Sequence, residues 1–151
     1  MLKVSDIMRS QVYRIDHRTS VRDTAIELIA RSIESALVVD GDLLVGIITE
    51  RDLLKAVLPT VDEVMQSHDK ASLSELVELA RERGDQVIGD IATRRVQTTT
   101  PDTAAARALG SMLASRVRRL PVIDGEQIVG VVTTRDLLTA VFLERKTLEG
   151  R

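Results

Sequence analysis

Two stretches of this chain say nearly the same thing 84 residues apart: GIITERD at Gly46–Asp52 and GVVTTRD at Gly130–Asp136. In that register Asp6 meets Asp90, Ile7 meets Ile91, Val12 meets Val96, and Thr19 meets Thr103. Asp40-Gly41 meets Asp124-Gly125, and Leu53-Leu54 meets Leu137-Leu138, with no gap from Val4–Val57 to Ile88–Val141. Self-similarity held in one register over this length marks two copies of one supersecondary unit. A copy of about 54 residues buries too little apolar surface to be comfortable alone. Two copies sharing a core solve that problem.

Each copy parses the same way. A short extended piece comes first, around Val12 and around Val96. A helix follows: Ser20 with Asp23 three residues on reads as a capping box, and Val21, Ala25, Leu28 and Ile29 fall on one helical face. The matching face of the second copy is Ala105, Leu109, Met112 and Leu113. ALVVDGDLLVGIIT and LPVIDGEQIVGVVT are each two β-branched runs around Asp-Gly, a strong hairpin signal. A second helix starts at TERDLLKAV or TTRDLLTAV. The unit is therefore β-α-β-β-α, and the fold class is α/β (α+β) with pseudo-two-fold symmetry. The expected domains are a first repeat at 1-60, a helical connector at 61-86 and a second repeat at 87-146. In the connector, Ser72 is a candidate N-cap, Leu73, Leu76, Val77 and Ala80 share a face, and Gly84 is a C-cap candidate.

The repeated stretch carries the chemistry. A strand ends and a helix begins at Thr49 or Thr133, and a helix start presents unsatisfied N–H groups and partial positive charge. Phosphate suits that position, a threonine hydroxyl adds a hydrogen bond, and Arg51 or Arg135 adds charge. Asp52 or Asp136, acceptor-only when ionised, suits the vicinal diol of a ribose. Thr-x-x-Asp at a helix start is also a capping box. Both readings stand together if the cap positions groups that a ligand then uses.

The order, spacing and duplication of these motifs resemble a tandem pair of CBS domains, also called a Bateman module. The resemblance covers both copies. It rests on DIM at Asp6–Met8, Thr-Ser-Val at Thr19–Val21, RRLPVIDG at Arg118–Gly125 and the two Gly-h-h-Thr-x-x-Asp endings, where h is aliphatic. It implies an adenosine-type ligand (AMP, ADP or ATP, with S-adenosylmethionine or NAD as further members of the class) in clefts between the repeats. The aspartates would hold ribose and the threonines phosphate. Ile33 and Glu34, or Val117 and Arg118, would lie against the base, and Ile47 or Val131 would line the site. It also implies a sensor with no required cofactor and no catalytic residue, a homodimer formed through helices, and a downstream protein partner that reads the ligand state. The alternative is a structural homodimerisation module without a nucleotide.

Composition narrows the rest. Without Trp, and with one Tyr and one Phe, the core must be aliphatic and a nucleobase must sit between aliphatic side chains. A net charge of -2 argues against a nucleic-acid partner. Lack of cysteine removes thiolate metal sites, and no His/Asp/Glu cluster has ligand spacing. The first residues lack a signal-peptide apolar region and no run is long enough to span a membrane, so a cytoplasmic protein is expected. His17 is expected to be exposed in a polar loop, and Met8 and Met65 to fill core or interface. The first copy has 7 basic and 9 acidic residues and the second 7 and 5. Phosphates are therefore expected to favour Thr133 and Asp136. Ala92, where the first copy has Met8, should give the two sites different shapes.

Overall fold

The structure, a computed structural model, describes residues 1–58 and 73–143. Ser72, Met65, His68 and the segment from Pro59 to Lys70 lie outside the described residues. Among the described residues, six α-helices and five strands form two compact units, one of Tyr13–Arg95 and one of Met1–Val12 with Val96–Arg151.

In the Tyr13–Arg95 unit, β1 (Arg14–Asp16) pairs parallel with β2 (Ser35–Asp40), which pairs antiparallel with β3 (Leu43–Thr49). Ala36 to Val39 are all buried, as befits a strand covered on both faces. Gly41 turns the hairpin at φ +60, a region open to glycine without steric penalty. Around the sheet lie α2 (Val21–Arg31), α3 (Glu50–Val57) and α4 (Leu73–Arg83). The Ser20 hydroxyl accepts from the Asp23 N–H at 3.0 Å; among the described residues only this half of the expected capping box forms. The buried face of α2 is Val21, Thr24 and Leu28. Ile29, expected inside, is 77 % exposed; the core side is taken by Thr24, whose hydroxyl donates to the Ser20 carbonyl at 2.7 Å. The connector helix α4 packs on α2 and α3, and Arg83 donates to the Leu58 carbonyl. Gly84 follows α4 without a left-handed φ. Its role is spatial, since a Cβ there would sit 2.6 Å from the Ala80 carbonyl oxygen.

The other unit contains α1 (Val4–Ile7), α5 (Ala105–Ser115), β4 (Arg119–Asp124), β5 (Gln127–Thr133) and α6 (Thr134–Phe142). β4 and β5 form the antiparallel hairpin anticipated, turned by Gly125 at φ +64. The extended piece expected near Val96 is reduced to one parallel bridge, Thr99 with Val122. Proline explains the loss. In the first copy the Leu37 N–H donates to the Tyr13 carbonyl at 3.1 Å. The matching residue, Pro121, has no N–H to give. On α5, Ala105, Ala108 and Met112 are buried while Leu113 is 67 % exposed, repeating the departure seen at Ile29.

The lead segment of each repeat lies with the body of the other. The Val4 N–H donates to the Thr103 carbonyl at 2.8 Å, and Arg9 exchanges two backbone hydrogen bonds with Val131 at 2.9 Å. Equivalently, the Ile88 N–H donates to the Thr19 carbonyl at 2.8 Å, and Thr93 exchanges two with Ile47 at 3.0 Å. Each core thus takes one fully buried residue from the other repeat. Val4 joins Met112, Leu120, Val122 and Val132, whereas Ile88 joins Val21, Leu28, Val38 and Ile48.

Two of the three 11-residue helices among the described residues, α2 and α5, end on a left-handed residue that is not glycine, Ser32 at φ 53 and Arg116 at φ 56. A Cβ in that conformation costs roughly 1–2 kcal/mol, partly offset by the greater unfolded-state freedom of glycine. Ser32→Gly is therefore expected to stabilise the protein by up to about 1 kcal/mol, raising Tm by roughly 2–4 °C. A scanning calorimetry trace with Tm unchanged or lowered contradicts this.

Candidate functional site

The repeated Gly-h-h-Thr-x-x-Asp ending builds the same device in each unit. β3 delivers Thr49 to the N-cap of α3, and β5 delivers Thr133 to the N-cap of α6. The Thr49 N–H and hydroxyl both donate to Asp52 Oδ2 at 3.0 Å, and Thr49 Oγ1 accepts from the Asp52 N–H at 3.2 Å. For Thr133 and Asp136 the distances are 2.9, 2.9 and 3.1 Å. The capping box forms completely in both units. It locks each carboxylate beside a hydroxyl at a positive helix end, and leaves Oδ1 of each aspartate outside the box.

The glycine that opens the motif has a spatial reason. A Cβ on Gly130 would lie 2.7 Å from the Arg9 carbonyl oxygen and 2.9 Å from Met8 Sδ. On Gly46 it would lie 2.9 Å from the Thr93 carbonyl oxygen. Each glycine lets the exchanged segment's backbone lie against the strand.

The other expected site residues fall as follows. The Glu34 carbonyl accepts from the Glu50 N–H at 2.9 Å, and the Arg118 carbonyl from the Thr134 N–H at 3.0 Å, so the backbone at these positions satisfies the first helical turn. The side chains of Glu34 and Arg118 are exposed. Ile33 and Val117 pack half-buried against their respective cores. Ile47 and Val131, also half-buried, are the residues paired with Thr93 and Arg9. Arg51 and Arg135 are exposed at the helix starts. Thr49, Arg51, Asp52, Ile47, Ile33 and Glu34 thus belong to one unit, and Thr133, Arg135, Asp136, Val131, Val117 and Arg118 to the other.

Sequence reasoning missed Arg9. Its Nε donates to Asp136 Oδ1 at 3.0 Å, and the Asp136 side chain is only 8 % exposed. The partners stand 127 residues apart, and only the exchanged lead segment brings them together. The register offered a faint signal, since Arg9 is aligned with Thr93.

Met8 and Ala92 stand at aligned positions in different units. Met8 packs against the core of its unit. In the other unit a cavity of about 260 Å³ is lined by His17, Val38, Asp40, Val45, Gly89, Ala92 and Arg94. His17, expected to be exposed, is half-buried there, with Nε2 3.5 Å from Asp40 Oδ1. Beside it, hydrogen bonds from the Arg18 side chain and N–H hold the Asp16 carboxyl down to about 2. The sole tyrosine is engaged elsewhere: Tyr13 donates to Glu27 at 3.0 Å, and Arg31 lies 4.4 Å over its ring.

A family model described as CBS domain matches residues 4–59 and 88–143. The chain belongs to the CBS-domain family. An uncharacterized 17.7 kDa protein of Acidianus ambivalens is 30 % identical over 141 residues, covering 92 % of this chain and 73 % of its own. Among solved structures, CBSX2 in complex with AMP has TM-score 0.72 and 24 % identity, covering 100 % of both chains. The CBS domain pair of protein MJ0100, in complex with 5′-methylthioadenosine and S-adenosyl-L-methionine, has TM-score 0.69 and 24 % identity, covering 93 % of this chain and 96 % of that one. The chain spans only 41 %, 66 % and 14 % of the length of three further curated relatives. Among the described residues, no helix is long and apolar enough to cross a membrane.

Proposed function

We propose that the protein is a regulatory module that binds an adenosine-containing ligand of the AMP, ADP or ATP class, acts without catalysis, and passes its ligand state to a partner protein. One observation carries the reading. In both units a threonine hydroxyl and an aspartate carboxylate are locked together at a helix start, in the motif of this family. A ribose diol donates to the carboxylate oxygen left outside each box, and a phosphate accepts from the exposed guanidinium of Arg51 or Arg135 at the helix start. Aliphatic Ile33, Ile47, Val117 and Val131 supply the apolar surface a base requires. Solved structures of the same fold hold AMP or S-adenosyl-L-methionine.

The test is thermal unfolding with AMP, ADP, ATP, S-adenosylmethionine and NAD. A ligand present at about 100 times its Kd adds roughly 2.7 kcal/mol of stability. That corresponds to a rise in Tm of about 5–10 °C for a chain of this size. No shift with any of the five rejects the adenosine reading.

A second reading, a structural homodimerisation module, is favoured by exposed apolar side chains on the helices. Ile26, Ile29, Leu54 and Val77 are exposed in one unit, and Leu113, Leu138, Val141 and Phe142 in the other. Ile26, Ile29, Leu54 and Val77 border a largely apolar groove of about 320 Å³ among α2, α3 and α4. Homodimerisation is compatible with ligand sensing; sedimentation equilibrium tests it independently.

A further inference from the structure

We propose that Arg9 makes the two Thr-Asp constellations unequal: by holding the carboxylate of Asp136 it leaves Asp52 as the site that takes the ribose first. This rests on the adenosine reading above and adds which repeat acts.

The two aspartates differ in one atom's surroundings. In both, Oδ2 accepts from the threonine N–H and hydroxyl. Asp136 Oδ1 also accepts from Arg9 Nε at 3.0 Å. Asp52 Oδ1 accepts no hydrogen bond among the described residues, and the Asp52 side chain is less buried. The cause is the residue at one aligned position. Arg9 and Thr93 have matching backbone placement, each exchanging two hydrogen bonds with the strand residue after the motif glycine, at 2.9 Å with Val131 and 3.0 Å with Ile47. Only their side chains differ. Arginine is long enough to reach the carboxylate across the strand; threonine has no cation to offer.

A ribose hydroxyl approaching Asp52 finds an acceptor oxygen with lone pairs to spare. At Asp136 one acceptor position of Oδ1 is already taken by a guanidinium, so a diol finds a single lone pair there or must displace the cation from a buried carboxylate. Charge-assisted hydrogen bonds of that kind are roughly twice as strong as neutral ones. Separating the pair also leaves a buried charge uncompensated.

Net charge counted along the sequence points the other way, toward Asp136, for a reason the fold exposes. Arg9 is counted with the first repeat, yet its guanidinium lies in the unit of the second. There it is spent on the carboxylate. The exposed arginines of the second repeat act through solvent and salt, which screen them. The contact at 3.0 Å, between an Arg9 side chain 64 % exposed and a carboxylate 8 % exposed, is screened less than charges exposed on both sides.

Isothermal titration of the full chain with AMP tests the proposal, using wild type, Arg9→Thr, which copies Thr93, and the reciprocal Thr93→Arg. Thermal melts confirm that each variant is folded. The expected result is one tight AMP per wild-type chain and a second AMP in Arg9→Thr bound within ten-fold of the first. In Thr93→Arg the tight event should weaken by ten-fold or more. Thr93 is exposed, so that variant is informative even if Arg9→Thr is unstable. Two equal AMP events in wild type, or titrations indifferent to residues 9 and 93, overturn the proposal while leaving the adenosine reading in place. If AMP gives no heat, ADP, ATP, S-adenosylmethionine and NAD are titrated in its place, and absence of binding by all five in all three proteins overturns both.

Discussion

Gly130→Val is expected to lower the unfolding free energy by about 3 kcal/mol. The backbone at Gly130 is not left-handed, so the effect is purely one of space. Even a bare Cβ would stand 2.7 Å from the Arg9 carbonyl oxygen, and valine adds two methyl groups beyond it. The carbonyl cannot retreat cheaply, because Arg9 and Val131 share two backbone hydrogen bonds at 2.9 Å. Either the exchanged segment detaches, exposing Val4, or the strand bends. Gly110 provides the contrast. It lies inside α5, where an added Cβ would meet nothing within 4 Å, so Gly110→Ala should stabilise by about 0.5–1 kcal/mol. Urea denaturation of both variants decides the matter. A loss under 1 kcal/mol for Gly130→Val shows that the lead segment does not press on the strand.

Ile88→Ala is expected to cost about 2–5 kcal/mol, the range for truncating a fully buried Ile. Ile88 is 0 % exposed and belongs by sequence to the second repeat, but its neighbours in the core are Val21, Leu28, Val38 and Ile48 of the first. The cavity would open beneath α2, whose start is held by the Val21 N–H on the Gln86 carbonyl at 2.8 Å. Ile29→Ala, at a site 77 % exposed, should stay within about 0.5 kcal/mol of wild type. Equal effects at the two positions would falsify the exchange of lead segments as a source of stability.

How far the sequence could be read depended on the range of the interaction. The Thr49–Asp52 and Thr133–Asp136 boxes were legible because a cap is a matter of three residues' spacing. Hairpin turns at Gly41 and Gly125 were legible because a left-handed φ calls for glycine. The helix faces were legible at Val21, Leu28, Ala105 and Met112 but not at Ile29 and Leu113. An apolar residue at the edge of a helical stripe can face the core or solvent, and periodicity alone does not choose. The lost first strand of the second copy was latent in Pro121, since proline removes a donor, but the acceptor it fails to serve is known only once strands are paired.

Sequence alone therefore determined the duplication, the α-β-β-α order common to both repeats, the aliphatic core and the four threonine and aspartate side chains. Tertiary structure decided which lead segment lies with which repeat and why Gly46 and Gly130 must be bare. It also decided that Asp136 has a cation beside it where Asp52, among the described residues, has none. Turns, caps and periodic faces are set by residues a few positions apart, whose meeting the chain guarantees. Arg9 and Asp136 meet across 127 residues, and only the folded path of the backbone brings such a pair within reach.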